Sequence, residues 1–158
     1  MRRNETFRRM VRETKLSIDD LIMPLFVRSG TGIKSEIVSM PGNYQMSPDK
    51  LVEEAKELWD LGVPAIILFG IPDSKDPEGT SAFEENAIVC RTVELVKKAL
   101  PGMCVITDVC MCEYTDHGHC GAIVDGEVDN DRTLELLGKT ALSHVRAGSD
   151  IVAPSDMM

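Results

Sequence analysis

The amino-acid sequence predicts a parallel α/β fold, and three observations carry that expectation. Short, almost unbroken apolar runs recur along the chain, each of strand length. Each is followed by a stretch with apolar residues at helical spacing. Glycine and proline punctuate the junctions, as at Gly62, Pro101-Gly102 and Gly148. Buried strands alternating with helices form a parallel sheet covered by those helices.

Residues 1–20 read as an N-terminal arm, with a helix over 6–13 and a further turn capped by Ser17. Its arginines, Arg2, Arg3, Arg8, Arg9 and Arg12, fit a solvated arm or one that grips an acidic surface of a sister subunit. The first strand is 21–27, although Pro24 removes one ladder donor from it. A loop follows, with Gly30, Gly32 and the turn Met40-Pro41-Gly42. Ser47 caps the next helix and Pro48 suits its first position. Leu51, Ala55, Leu58 and Trp59 share a face of that helix, and Gly62 ends it. The second strand is 65–70, and 72–79 is a polar loop. A helix over 83–100 turns Ala87, Cys90, Val93 and Val96 inward. The third strand is 104–109, and 110–130 is a long loop without periodicity. The last helix, 131–147, carries Leu134, Leu137, Leu142 and Val145 on its apolar side. The fourth strand is 151–154, and Ser155 and Asp156 follow its end.

Four such strands begin either a doubly wound sheet or a (β/α)8 barrel, and periodicity does not separate the two. Both folds place their sites at the C-terminal ends of the strands. A barrel takes ~250 residues. On the barrel alternative, the chain is an arm (1–20) and the first half of a barrel (21–158), with about the first four βα units.

With 158 residues, 43% hydrophobic and 27% charged, the composition is that of a globular domain. The net charge of −9 argues against nucleic acid as a main partner, because phosphate binding needs a basic face. No apolar run reaches the ~18–20 residues that span a bilayer, and no apolar segment follows the N-terminal arginines as a secretory signal would require. Five cysteines, an odd number, do not suggest a disulfide framework. The expected compartment is the reducing cytoplasm, with thiols free to bind metal.

Three of those cysteines, Cys110, Cys112 and Cys120, fall within the loop after the third strand, beside His117 and His119. Soft thiolates and imidazoles are the donors zinc prefers. One Cys-x-Cys pair plus a single later cysteine offers three sulfurs and leaves a fourth position open, as in catalytic zinc sites. Three other readings stay open on spacing alone: reduced cysteines without metal, a closed structural zinc with His117 or His119 as fourth ligand, and a Cys-x-Cys redox pair. Cys90 and Cys104 read as small core residues.

The segment Asp108-Val109-Cys110-x-Cys112-x-Tyr114-Thr115-x-His117-Gly118-His119-Cys120-Gly121 resembles the metal-binding signature of zinc-type porphobilinogen synthases. The resemblance extends over the chain. It includes Asp20-Leu21-Ile22-Met23-Pro24-Leu25-Phe26-Val27, Ser39-Met40-Pro41-Gly42, Leu68-Phe69-Gly70, Asn130-Asp131-x-Thr133-Leu134 and Ala153-Pro154-Ser155-Asp156-Met157-Met158.

That resemblance implies a (β/α)8 barrel whose arm embraces a neighbouring subunit of a homo-oligomer, commonly an octamer. It implies condensation of two 5-aminolevulinate molecules into porphobilinogen, with loss of two waters, in tetrapyrrole synthesis. It implies catalytic Zn2+ on Cys110, Cys112 and Cys120, with any allosteric Mg2+ bound outside this chain. Asp108 and Ser155 are the supporting catalytic candidates; Asp108 could equally cap the following loop, and Ser155 could cap a helix. The family's two Schiff-base lysines belong to later strands. The eight lysines here (Lys15, Lys34, Lys50, Lys56, Lys75, Lys97, Lys98 and Lys139) lie outside the apolar strands, and Lys75 sits between Asp73 and Asp76. The expectation is that residues 1–158 alone are inactive.

Overall fold

A computed structural model describes residues 3–84 and 86–154. Ser155 and Asp156 therefore lie outside the described residues.

The arm begins with α1 (Glu5–Met10), shorter than the expected 6–13. Asn4 caps it by accepting from the Phe7 N–H, and no residue of the helix is buried, so nothing in this chain extends it by packing. A 3-10 turn over Ile18–Asp20 carries the Ser17 cap, with the Ser17 N–H donating to the Asp20 carboxylate at 2.7 Å.

Four principal strands follow in chain order. They are β1 (Ile22–Arg28), β4 (Ala65–Ile71), β5 (Cys104–Val109) and β8 (Ile151–Pro154). They pair in parallel, each with the next, from Ile22↔Ala65 through Ala65↔Cys104 to Ile106↔Ile151. The order does not reverse, whereas a doubly wound sheet reverses at its switch point. Pro24 is tolerated because the strand on its other flank reaches β1 only at Phe26 and Val27.

That flanking strand is unexpected. Residues in the anticipated loop form β2 (Lys34–Glu36) and β3 (Tyr44–Met46), antiparallel to each other, with β3 parallel to β1. Three-residue strands are too short to leave a periodic signature. A second short pair, β6 (Ala122–Val124) and β7 (Glu127–Asp129), forms a hairpin inside the expected long loop. Its Asp125-Gly126 turn, with both residues at positive φ (52° and 87°), is a hairpin signal that was legible in the sequence.

Helices α2 (Pro48–Asp60), α3 (Ile88–Ala99) and α4 (Asn130–Arg146) link the strands, α2 packing on α3 and α3 on α4. The main core joins Leu25 and Val27 of β1 and Ile66 and Leu68 of β4 to Leu51 and Ala55 of α2 and Val89, Val93 and Val96 of α3. Helix α3 starts later than the expected 83, and a separate 3-10 turn, Thr80–Ala82, precedes it. On α4 the expected apolar side is corrected. Leu134, Leu142 and Val145 are exposed, and the buried stripe is Thr133, Leu136, Leu137, Thr140 and His144. The threonines can be buried because their hydroxyls return to the helix: Thr140 Oγ1 donates to the Leu136 carbonyl at 3.1 Å. Of the four expected residues Leu137 is buried, so counting apolar residues alone places the face too far round the helix. Of the two cysteines read as core, Cys90 is buried on α3 and Cys104 only half-buried.

A second, smaller cluster of Val109, Met111, Ala122, Leu136 and Leu137 lies beneath the cysteine loop and anchors it to β5 and α4. No described helix is long and apolar enough to cross a membrane.

Candidate metal centre

Cys110 directly follows the last residue of β5 and so stands at the C-terminal end of the sheet. The chain then makes one tight turn, in which the Tyr114 and Thr115 N–H groups both donate to the Met111 carbonyl at 2.9 Å. This turn brings Cys112 back beside Cys110. Tyr114, 3% exposed, pins the turn by pushing its ring against β4. It fits only because residue 70 is glycine: a Cβ there would collide with Tyr114 Oη and Val89. The segment then doubles back so that Cys120 also reaches Cys110.

The result is a cluster of three thiols. Cys110 Sγ lies 3.4 Å from Cys112 Sγ and 3.4 Å from Cys120 Sγ. All three sulfurs lie within 4.8 Å of one another. A zinc ion bound at about 2.3 Å by tetrahedral ligands holds its sulfurs ~3.8 Å apart. The donor set therefore fits such an ion with a few tenths of an ångström of opening. Cys110 is buried; Cys112 and Cys120 are half-buried.

The electrostatics among these side chains alone favour neutral thiols. Burial pushes the Cys110 thiol up, and burial together with its two sulfur neighbours and Glu113 pushes Cys112 up further. A divalent cation inverts this order, because a bound thiol is deprotonated outright. Asp108, Cys110 and Glu113 form a second group of potential ligand atoms, within 4.8 Å of one another. Burial, and then the Glu113 charge, pushes the Asp108 carboxyl up to about 6. A carboxyl titrating there can hold or release a proton near neutral pH. Glu113, whose carboxylate lies 3.4 Å from Cys112 Sγ, escaped the sequence reading, since nothing in its spacing marks it.

The two histidines do not join either group. His117 Nε2 donates to the Pro77 carbonyl at 3.2 Å, and its Nδ1 accepts from the His119 N–H at 3.1 Å. His119 is exposed. The site thus presents three sulfurs from the chain and two carboxyl groups beside them. Of the lysines, Lys34 and Lys50 have their pKa values raised by hydrogen-bonded carboxylates, Glu54 and Glu53 respectively. Lys97 pairs with Asp150 at 2.9 Å.

The family model for delta-aminolevulinic acid dehydratase matches residues 1–158. The chain belongs to the delta-aminolevulinic acid dehydratase family. A dehydratase of this name from Synechocystis sp. is 56% identical over the whole chain, which covers 50% of that protein. One from Halalkalibacterium halodurans is 51% identical, with 48% of its length covered, and one from Ruminiclostridium josui is also 51% identical, with 77% covered. The chain spans about half the length of most of these curated relatives. Among solved structures, the delta-aminolevulinic acid dehydratase (porphobilinogen synthase) of Toxoplasma gondii ME49, in complex with the product porphobilinogen, superposes with a TM-score of 0.93. It is 33% identical, over 99% of this chain and 46% of that one. The four parallel strands and their helices are accordingly part of a (β/α)8 barrel, the architecture of this dehydratase family.

Proposed function

We propose that this chain is the zinc-bearing part of a porphobilinogen synthase, which condenses two 5-aminolevulinate molecules into porphobilinogen with loss of two waters. The observation that carries the reading is the convergence of Cys110, Cys112 and Cys120 at the C-terminal end of β5, where barrel enzymes keep their chemistry. The names of the relatives and the product in the Toxoplasma structure support the choice of substrate.

In this reading the three thiolates hold one zinc, which when bound supplies a Lewis acid with an open position. Asp108, half-buried one residue before the end of β5, holds and returns a proton on the same side of the site. Ser155, just past β8, serves as a supporting polar group. The Schiff-base amines come from lysines outside this chain, since an amine must be partly neutral to attack a carbonyl. The protein acts as a cytoplasmic homo-oligomer, most simply an octamer built through the arm, with any regulatory magnesium held elsewhere.

The test is elemental analysis and turnover of the intact protein and of three variants, Cys110→Ser, Cys112→Ser and Cys120→Ser. The parent is expected to hold about one zinc per chain and to form porphobilinogen from 5-aminolevulinate. Each variant is expected to lose most of its zinc. Full zinc occupancy in all three variants would remove the cysteine assignment, and absence of porphobilinogen formation by the zinc-loaded parent would remove the activity.

A further inference from the structure

We propose that Asp76, in the loop after β4, is a positioning residue that clamps the cysteine loop and delivers Cys120 to Cys110. The inference rests on the zinc reading for its consequence, but its geometry stands apart from it.

Cys110 and Cys112 are held by the end of a strand and one tight turn. Cys120 is different: it reaches the cluster only after the chain has wandered through residues 113–119. Something must fix that excursion, because ordering each residue costs backbone freedom. The loop after β4 does so. The Asp76 carboxylate closes that loop into a turn, with Oδ1 accepting from the Glu78 N–H at 2.9 Å and Oδ2 from the Thr80 N–H at 3.0 Å and Thr80 Oγ1 at 2.6 Å. Gly79, at φ +62°, lets the turn lie flush on Tyr114, whose Cβ would stand 3.1 Å from any Cβ added there.

The backbone of the same residue grips the cysteine loop. The Asp76 N–H donates to the Tyr114 carbonyl and its own carbonyl accepts from the Asp116 N–H, both at 3.3 Å, forming a bridge opposite Thr115. The next carbonyl, Pro77, receives the His117 ring at 3.2 Å, and that ring in turn accepts the His119 N–H. Thr115 Oγ1 donates to the His119 carbonyl at 2.9 Å. Hydrogen bonds from the Asp76 backbone and the Pro77 carbonyl therefore lead to His119, the residue before Cys120, and the Asp76 carboxylate shapes the turn from which they come. Glu78 adds an ion pair to Arg132 at the start of α4, tying the clamp to the element behind the loop. This network also assigns His117 a role: it is a strut rather than a ligand.

A group that orients metal ligands without touching the metal typically changes affinity 10–100-fold when removed. The experiment compares the intact protein with Asp76→Ala and Asp76→Asn. In the metal-free state, alkylation of Cys120 and of the buried Cys90 is followed by mass spectrometry; zinc affinity is then measured by chelator competition. Asp76→Ala is expected to speed alkylation of Cys120 several-fold with Cys90 unchanged, and to weaken zinc about tenfold. Asp76→Asn, which keeps one acceptor oxygen, should recover most of both. Unchanged alkylation of Cys120 in Asp76→Ala overturns the proposal, and so does an equal rise at Cys90, which would mean that Asp76 serves the whole fold. If Asp76→Ala does not fold, Thr80→Val removes one bond to the carboxylate and should shift Cys120 in the same direction; no shift there is equally fatal. A parent that binds no zinc through its cysteines ends the zinc reading and leaves the alkylation contrast to decide the clamp.

Discussion

His144 is fully buried on α4, and neither ring nitrogen has a hydrogen-bond partner among the described residues. Burial alone pushes its pKa down to about 4, from 6.5. The folded state therefore holds this ring neutral while the unfolded chain protonates it first. Its contribution to stability is fully present above pH 6.5 and is lost as pH falls from there toward about 4. The span corresponds to about 3 kcal/mol. Urea unfolding at pH 7.5 and pH 5 should show the parent losing more stability on acidification than His144→Leu, because leucine has no proton to take up. Parallel profiles for the two proteins would contradict this. At neutral pH the leucine variant should be as stable as the parent or more so, since it removes buried polar atoms that gain nothing from burial. The same scale shows which site residues could be read in advance. Cys110, Cys112 and Cys120 announce themselves by residue type and spacing. Glu113 and Asp76 do not, because one carboxylate among the chain's many acidic residues is distinguished only by what it touches.

Helix α2 shows how an element is determined by local signals and secured by packing. Pro48 opens it, while Ser47 stands at the cap position without a capping bond, its hydroxyl donating to Asp49 at 2.6 Å, and Leu51 and Ala55, both 0% exposed, place its apolar face in the main core. Leu51→Ala should cost about 2–5 kcal/mol, the usual range for emptying a leucine site that cannot collapse. Chemical denaturation gives the value, and a loss under 1 kcal/mol would mean that α2 is not a core element. Helix α4 is the contrary case. Its start and end were plain from sequence, yet its buried face was misread, because threonine and histidine took positions that apolar counting assigns to leucine and valine. Burial there is permitted by hydroxyls bonding back to the helix and by a histidine kept neutral, neither of which a periodicity count registers.

At the scale of the molecule, the sheet exposes apolar residues at the first positions of two strands, Ile22 of β1 at 52% and Ile151 of β8 at 49% exposure. Within the described residues β8 is paired on one side only, with β5. An open edge beside apolar surface recruits other chains. Residues 1–158 produced alone should therefore associate with rising concentration in sedimentation velocity, and Ile151→Lys should reduce that association. A monomer over the whole concentration range would show that the edge is protected. The same preparation, incubated with 5-aminolevulinate, is expected to form no porphobilinogen, since its eight lysines lie outside the apolar strands, where nothing drives an amine toward its neutral form.

The sequence by itself determined the four principal strands, their helical connections and the identity of the three clustered cysteines, because apolar runs, caps, glycine stops and residue chemistry are local properties. Only the tertiary structure decided that the strands run parallel in chain order without reversal, that Cys120 returns to 3.4 Å from Cys110, and that both histidines stay out of the thiol cluster. Those outcomes depend on contacts between segments distant in sequence: Gly70 leaving room for Tyr114, and the turn at Asp76 gripping residues 114–116. No local pattern encodes them, because each needs two pieces of chain to meet before either has a partner.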